Sequence, residues 1–137
     1  MTERRDVYAY FWVEGFDCSP DDLTAQMRAE PSHVQRIGEA LPHGAIAETS
    51  LWKLLSPLAR GESLLQEYLE ALVALLEQRT SVVQSLASRY SAGINCVGYF
   101  YGSNPGLHLS ASLIERIAVL KLAVDFDLYN YGAEDAA

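Results

Sequence analysis

Two aspartates, Asp125 and Asp127, stand one residue apart in Val124-Asp125-Phe126-Asp127-Leu128. Side chains alternate along an extended strand, so both carboxylates share one face. Such a pair could hold a divalent cation or split its pKa values for acid–base work. Either task needs a further Asp, Glu or His, which sequence alone does not place beside them. His33, His43 and His108 fall in or near loop-forming segments without ligand spacing and read as surface histidines. Cys18 and Cys96 make no Cys-x-x-Cys pair and are expected to be reduced thiols, although sequence alone leaves a disulfide between them open. There is no Gly-x-Ser-x-Gly elbow, and Gly102-Ser103-Asn104-Pro105-Gly106 lacks a phosphate-loop lysine and reads as a tight turn. No catalytic residue, metal site or cofactor is assigned.

A second pattern is a matter of parity. In the first strand Val7, Ala9, Phe11 and Val13 fall on one side, and Tyr8, Tyr10, Trp12 and Glu14 on the other. From Ile94 the split is Ile94, Cys96, Gly98 and Phe100 against Asn95, Val97, Tyr99 and Tyr101. In the last strand Leu122, Val124, Phe126 and Leu128 oppose Asp125, Asp127, Tyr129 and Tyr131. The first set of each pair is the better helix-facing core. The opposite face then gathers Tyr8, Tyr10, Trp12, Tyr99, Tyr101, Tyr129 and Tyr131 beside Asp125 and Asp127, a candidate binding surface. Tyr and Trp combine apolar area with a polar tip, which suits an interface that is sometimes wet. Seven such rings, half covered, would expose about 500–900 Å².

The elements that must position these residues are legible in outline. Val7 to Gly15 is β-branched and aromatic, as a strand should be. Ser19-Pro20-Asp21-Asp22 supplies a cap, a proline at the first helical position and acids at the positive helix end. Ser32 to Ile37 and Thr49 to Ser56 read as strands, and Leu65, Leu69, Leu72 and Leu76 form a helical stripe. Ser81 with Gln84, and Ser112 with Glu115, have capping-box spacing, and Gly93 is placed to end a helix. Ile94 to Tyr101 and Leu122 to Asn130 are strands, Leu107 to Leu109 is a short strand candidate, and residues 132–137 read as a frayed tail. The expected fold is α+β, a largely antiparallel sheet with helices on one face. Its opening follows a ferredoxin-like β-α-β-β-α-β order, with a C-terminal helix and strand added.

Residues 1–137 suffice for a single domain with its own core. Ten basic against eighteen acidic residues give a charge of −8, which repels phosphate backbones and argues against nucleic acid. No run reaches the length of a membrane span, and the apolar stretch after Arg4-Arg5 stops at Glu14 and reads as a strand, not a signal peptide. A reducing, cytoplasmic location is expected.

Three stretches carry a family resemblance together: Tyr10-Phe11-Trp12-Val13-Glu14-Gly15-Phe16-Asp17-Cys18-Ser19-Pro20-Asp21-Asp22-Leu23; Ser50-Leu51-Trp52-Lys53-Leu54; and Leu107 through Leu120 with the terminal Val124-Asp125-Phe126-Asp127-Leu128-Tyr129. They resemble the bacterial family called domain of unknown function 4279 over nearly the whole chain. That family's central Arg/Trp-rich stretch is poorly matched by Ser32 to Gly38. The resemblance implies no assigned activity, so no catalytic residue carries across. The leading expectation is a non-catalytic interaction protein using the aromatic sheet face, in a homodimer or with another protein partner. A small-ligand binder and an immunity-type inhibitor of a basic partner are the alternatives, and an enzyme using Asp125 and Asp127 ranks last.

Overall fold

Val7, Ala9, Phe11 and Val13 are fully buried, whereas Tyr8, Tyr10 and Trp12 between them keep partial exposure, so the alternation of the first strand sets the layers. A computed structural model describes residues 4–59, 63–102 and 105–131, with side chains from residue 6. The strands are β1 (Arg4–Glu14), β2 (His33–Gln35), β3 (Leu51–Leu55), β4 (Ser91–Tyr101) and β5 (Ala123–Asn130). The helices are α1 (Pro20–Met27), α2 (Leu65–Leu76), α3 (Thr80–Arg89), joined to α2 by a 3₁₀ turn over Glu77–Arg79, and α4 (Ala111–Val119).

The sheet runs β2-β3-β1-β4-β5. The first three neighbouring pairs are antiparallel, and β5 lies parallel to β4. Each helical connection therefore links two parallel strands: β1 to β2, β3 to β4, and β4 to β5. The first moves one way across the sheet from a strand of one direction. The other two move the opposite way from strands of the opposite direction. With the right-handed crossovers that chirality favours, all three connections fall on the same face. The core agrees, because Leu23, Leu69, Leu72, Val83, Leu86, Leu113 and Ile117 join one cluster with Phe11, Ile94 and Cys96.

Polar groups drawn into this layer are satisfied. The Trp52 indole donates to the Thr24 hydroxyl at 3.0 Å, and the ring meets Phe11 edge-on. The Ser50 and Ser56 hydroxyls donate to the carbonyls of Phe16 and Tyr68. The Tyr68 hydroxyl donates to the Ala59 carbonyl. Arg116 on α4 grips Glu77 through two nitrogens, at 3.0 and 2.7 Å, and also bonds Glu70 on α2. The Arg116 hydrogen bonds hold the Glu77 carboxyl below its ordinary range.

Several local expectations change on inspection. β2 is half its expected length, because Arg36 and Glu39 close a turn and Gly38 takes a positive φ of 86°. Residues 107–109 form no strand. α4 is capped by Ser110, whose side chain accepts from the Leu113 amide, while Ser112 lies inside the helix. No side-chain box opens α3; Gln84 instead donates to the Val119 carbonyl at 2.7 Å. Gly93 ends no helix and sits within β4. Phe126 and Leu128, expected in the helix-facing core, are 36% and 49% exposed because the helical layer stops short of the second half of β5. The centre of the Gly102–Gly106 turn and the expected tail at 132–137 lie outside the described residues.

Ser19 caps α1 in a reciprocal box with Asp22, so Ser19→Ala should lower unfolding free energy by about 1 kcal/mol in urea titrations. Both cysteines are free thiols. Burial pushes the Cys96 thiol from its ordinary 9.0 up to about 12, whereas Cys18 is half-buried. Iodoacetamide at pH 8 should therefore modify Cys18 in the native protein and Cys96 only after unfolding, read by intact mass; two rapid native adducts would contradict this packing. Because the unfolded thiol ionises first, the fold should also lose stability as pH climbs from about 9 to about 12.

Candidate functional site

The sheet face opposite the helices is built in rows by strand register. Tyr10 on β1 stands between Leu55 on β3 and Asn95 on β4, with Asp125 beyond on β5. The next row runs Tyr8, Val97, Asp127, and the one after it Asp6, Tyr99, Tyr129. On the other side of Tyr10, Trp12 stands between Lys53 and Gly93. All nine residues of the expected surface thus lie on this one face, Tyr131 just past the end of β5.

The tyrosines are ordered by stacking. Tyr129 stacks on Tyr99 at 5.1 Å between centroids, Tyr99 on Tyr131 at 6.5 Å and Tyr131 on Tyr101 at 5.1 Å. Their planes lie within 18° of parallel, so rings from two strands interleave as one file. Tyr8 and Tyr10 make a second stack at 6.3 Å. Offset aromatic pairs add about 0.5–1.5 kcal/mol beyond buried area, which fixes the rotamers of an otherwise open surface. Exposure rises toward the β5 edge, reaching 46% at Tyr129 and 57% at Tyr131.

Polar groups surround Tyr10. The Asn95 amide donates to the Tyr10 hydroxyl and to the Asp127 carboxylate, each at 3.0 Å. Lys53 holds its ammonium 4.7 Å from the Tyr10 ring centroid instead of pairing with the aspartates. Arg36 approaches Asp21 at 4.0 Å. Two shallow depressions of about 240 and 260 Å³ flank Tyr10 and Lys53, one reaching Trp12 and Asn95, the other Tyr8 and His33. Among the described residues no three His, Cys, Asp or Glu side chains gather in a metal-holding group. His33, His43 and His108 are all exposed and well separated in the chain.

Sequence reasoning passed over two members of this surface. Asn95 ties Tyr10 to Asp127, and its sequence signal is a lone amide on a tyrosine-bearing strand face. Gly93, which the sequence pattern places at a helix end, lies instead within β4 beside Trp12. A Cβ there would sit 3.0 Å from the Trp12 ring and 3.2 Å from the Ala123 carbonyl, so glycine leaves the indole room to lie across β4. Gly93→Val should displace that ring and red-shift Trp12 emission, with Trp52, fully buried on the other face, unchanged. An unaltered spectrum in a folded variant would show that the indole does not depend on this space.

Among the described residues no helix is long and apolar enough to cross a membrane. Searches of curated proteins and of solved structures find no match to the chain. The family model described as Domain of unknown function (DUF4279) matches residues 5–131, from the first residues of β1 to the last ring of the tyrosine file, and the chain belongs to that family.

Proposed function

We propose that this is a non-catalytic interaction protein whose tyrosine-rich sheet face docks against a protein surface. The observation that carries the reading is the uncovered file of stacked rings. Seven aromatics lie on a face that, among the described residues, no helix covers. All seven keep at least partial exposure, less than an unstacked set would because the tyrosines cover one another. Contiguous exposed patches of large aromatic side chains are often functional. Tyr and Trp are enriched at interfaces, and rings already held in stacks lose little side-chain entropy on docking.

The chemistry on the face argues for binding over turnover. Asp127 is engaged by Asn95, and the two depressions fall below the 300–1,000 Å³ usual for small-molecule sites. The net charge of −8 favours a partner with basic residues at its rim and disfavours nucleic acid. The two free thiols fit a reducing cytoplasm.

The test is photo-crosslinking in cells with p-benzoylphenylalanine in place of Tyr10, Tyr99 or, as the off-face control, Ile37. Discrete adducts from positions 10 and 99 and none from 37 are expected. Their mass reads whether the occupant is a second 15.1 kDa chain or a different protein. No discrete adduct from either face position would overturn the reading.

A further inference from the structure

β5 is an outer strand of the sheet, and its exposed apolar residues are concentrated as on no other strand: Phe126 36%, Leu128 49%, Tyr129 46%, with Tyr131 57% directly after it. Its backbone orientation can be assigned. The Tyr131 amide donates to the Phe100 carbonyl at 2.9 Å, so the amides of Asp125, Asp127 and Tyr129, at the same parity, also turn toward β4. Those of Phe126 and Leu128 point the other way, along the outer edge. An apolar edge with outward N–H and C=O groups is a template for another strand.

We propose that β5 pairs antiparallel with β5 of a second copy, about a two-fold axis through Leu128, joining two five-stranded sheets into one. The charges select this register. Centring on Phe126 would set Asp125 opposite the second copy's Asp127, and centring on Asp127 would set that residue against itself; like charges directly opposite destabilise a pair. Centring on Leu128 places Asp127 opposite Tyr129 and Asp125 opposite Tyr131, so each carboxylate meets a phenol. It also makes Leu128 a hydrogen-bonded pair with its own copy, as its outward amide requires. On the helix side the two Leu128 side chains meet; each packs over Gly98, where a Cβ would lie 3.4 Å from the Leu128 methyl. A contact of one strand and four side chains sits at the small end of the interface range, so the dimer dissociates on dilution. The surface is the sheet edge and not the aromatic face, and the two readings stand or fall separately. Edge pairing leaves both faces open and sets them side by side.

Sedimentation velocity over about a hundred-fold dilution tests the pairing. The wild type should pass from 15.1 kDa to twice that mass as concentration rises. Leu128→Pro removes an outward amide that β4 does not use, so the sheet should survive, checked by circular dichroism, while the dimer is lost. Tyr129→Asp should weaken the dimer at least tenfold by opposing Asp127 across the axis, and Tyr129→Lys should retain it. The same two substitutions at Thr49, beside β3 and across the sheet from β5, change net charge equally and should leave association alone. A wild type that stays monomeric throughout overturns edge pairing. So does a dimer that survives Leu128→Pro but is lost in the Tyr10→Ser, Tyr99→Ser double variant, which would make the aromatic face itself the homodimer contact.

Discussion

The pairing of β1 with β4, in register over eleven residues from Arg4↔Tyr101 to Glu14↔Ser91, is the constraint on which the rest of the structure depends. Strand side chains alternate strictly, so a slip of one residue in either strand would send every side chain to the wrong face. The register keeps Val7, Ala9, Phe11 and Val13 level with Gly98, Cys96, Ile94 and Ala92 under the helices. The same register fixes the other face, because Tyr8, Tyr10 and Trp12 can then only meet Val97, Asn95 and Gly93. Core and aromatic surface are therefore two outcomes of one alternation. Burying Phe11 and Ile94, each worth roughly 1.5–3 kcal/mol, also holds the rings of the surface in place.

Topology explains why that surface stays bare. Three helical crossovers of one hand, leaving strands of opposite direction toward opposite ends of the sheet, must all land on one side. Among the described residues the sheet is accordingly covered by helices on one face only. Aromatic side chains on such a face are not an ordinary solvated surface. Stacking fixes the tyrosines, and Asn95 ties Tyr10 to Asp127. A preorganised, amphipathic surface with only shallow depressions is suited to recognising another protein and poorly suited to enclosing a small molecule.

Much of this was legible in the sequence because β1 and β4 are long and strongly patterned. Eleven-residue strands with alternating chemistry leave little freedom in assigning faces, and Ser19-Pro20-Asp21-Asp22 announces α1 through local chemistry alone. What escaped was set by tertiary context. Gly93 carries a helix-ending signal, yet its role comes from a tryptophan on a neighbouring strand. Ser110 and Ser112 are equivalent as local caps, and packing of Leu113 and Ile117 decides between them. The alternation in β5 was read correctly, but how far the helical layer extends over Phe126 and Leu128 is a property of the whole fold. Asn95 had no motif around it; only strand register brings Tyr10 and Asp127 within its reach.

The central claim is that the aromatic face is an occupied surface in the cell. Hydroxyl-radical footprinting reads it directly, by comparing tyrosine oxidation in dilute purified protein with that in the concentrated native extract. Tyr10 and Tyr99 should be markedly protected in the extract, while Tyr90, which packs beside Phe16 on the helical side, should react equally in both. Equal oxidation of Tyr10 and Tyr99 in the two samples would contradict the account.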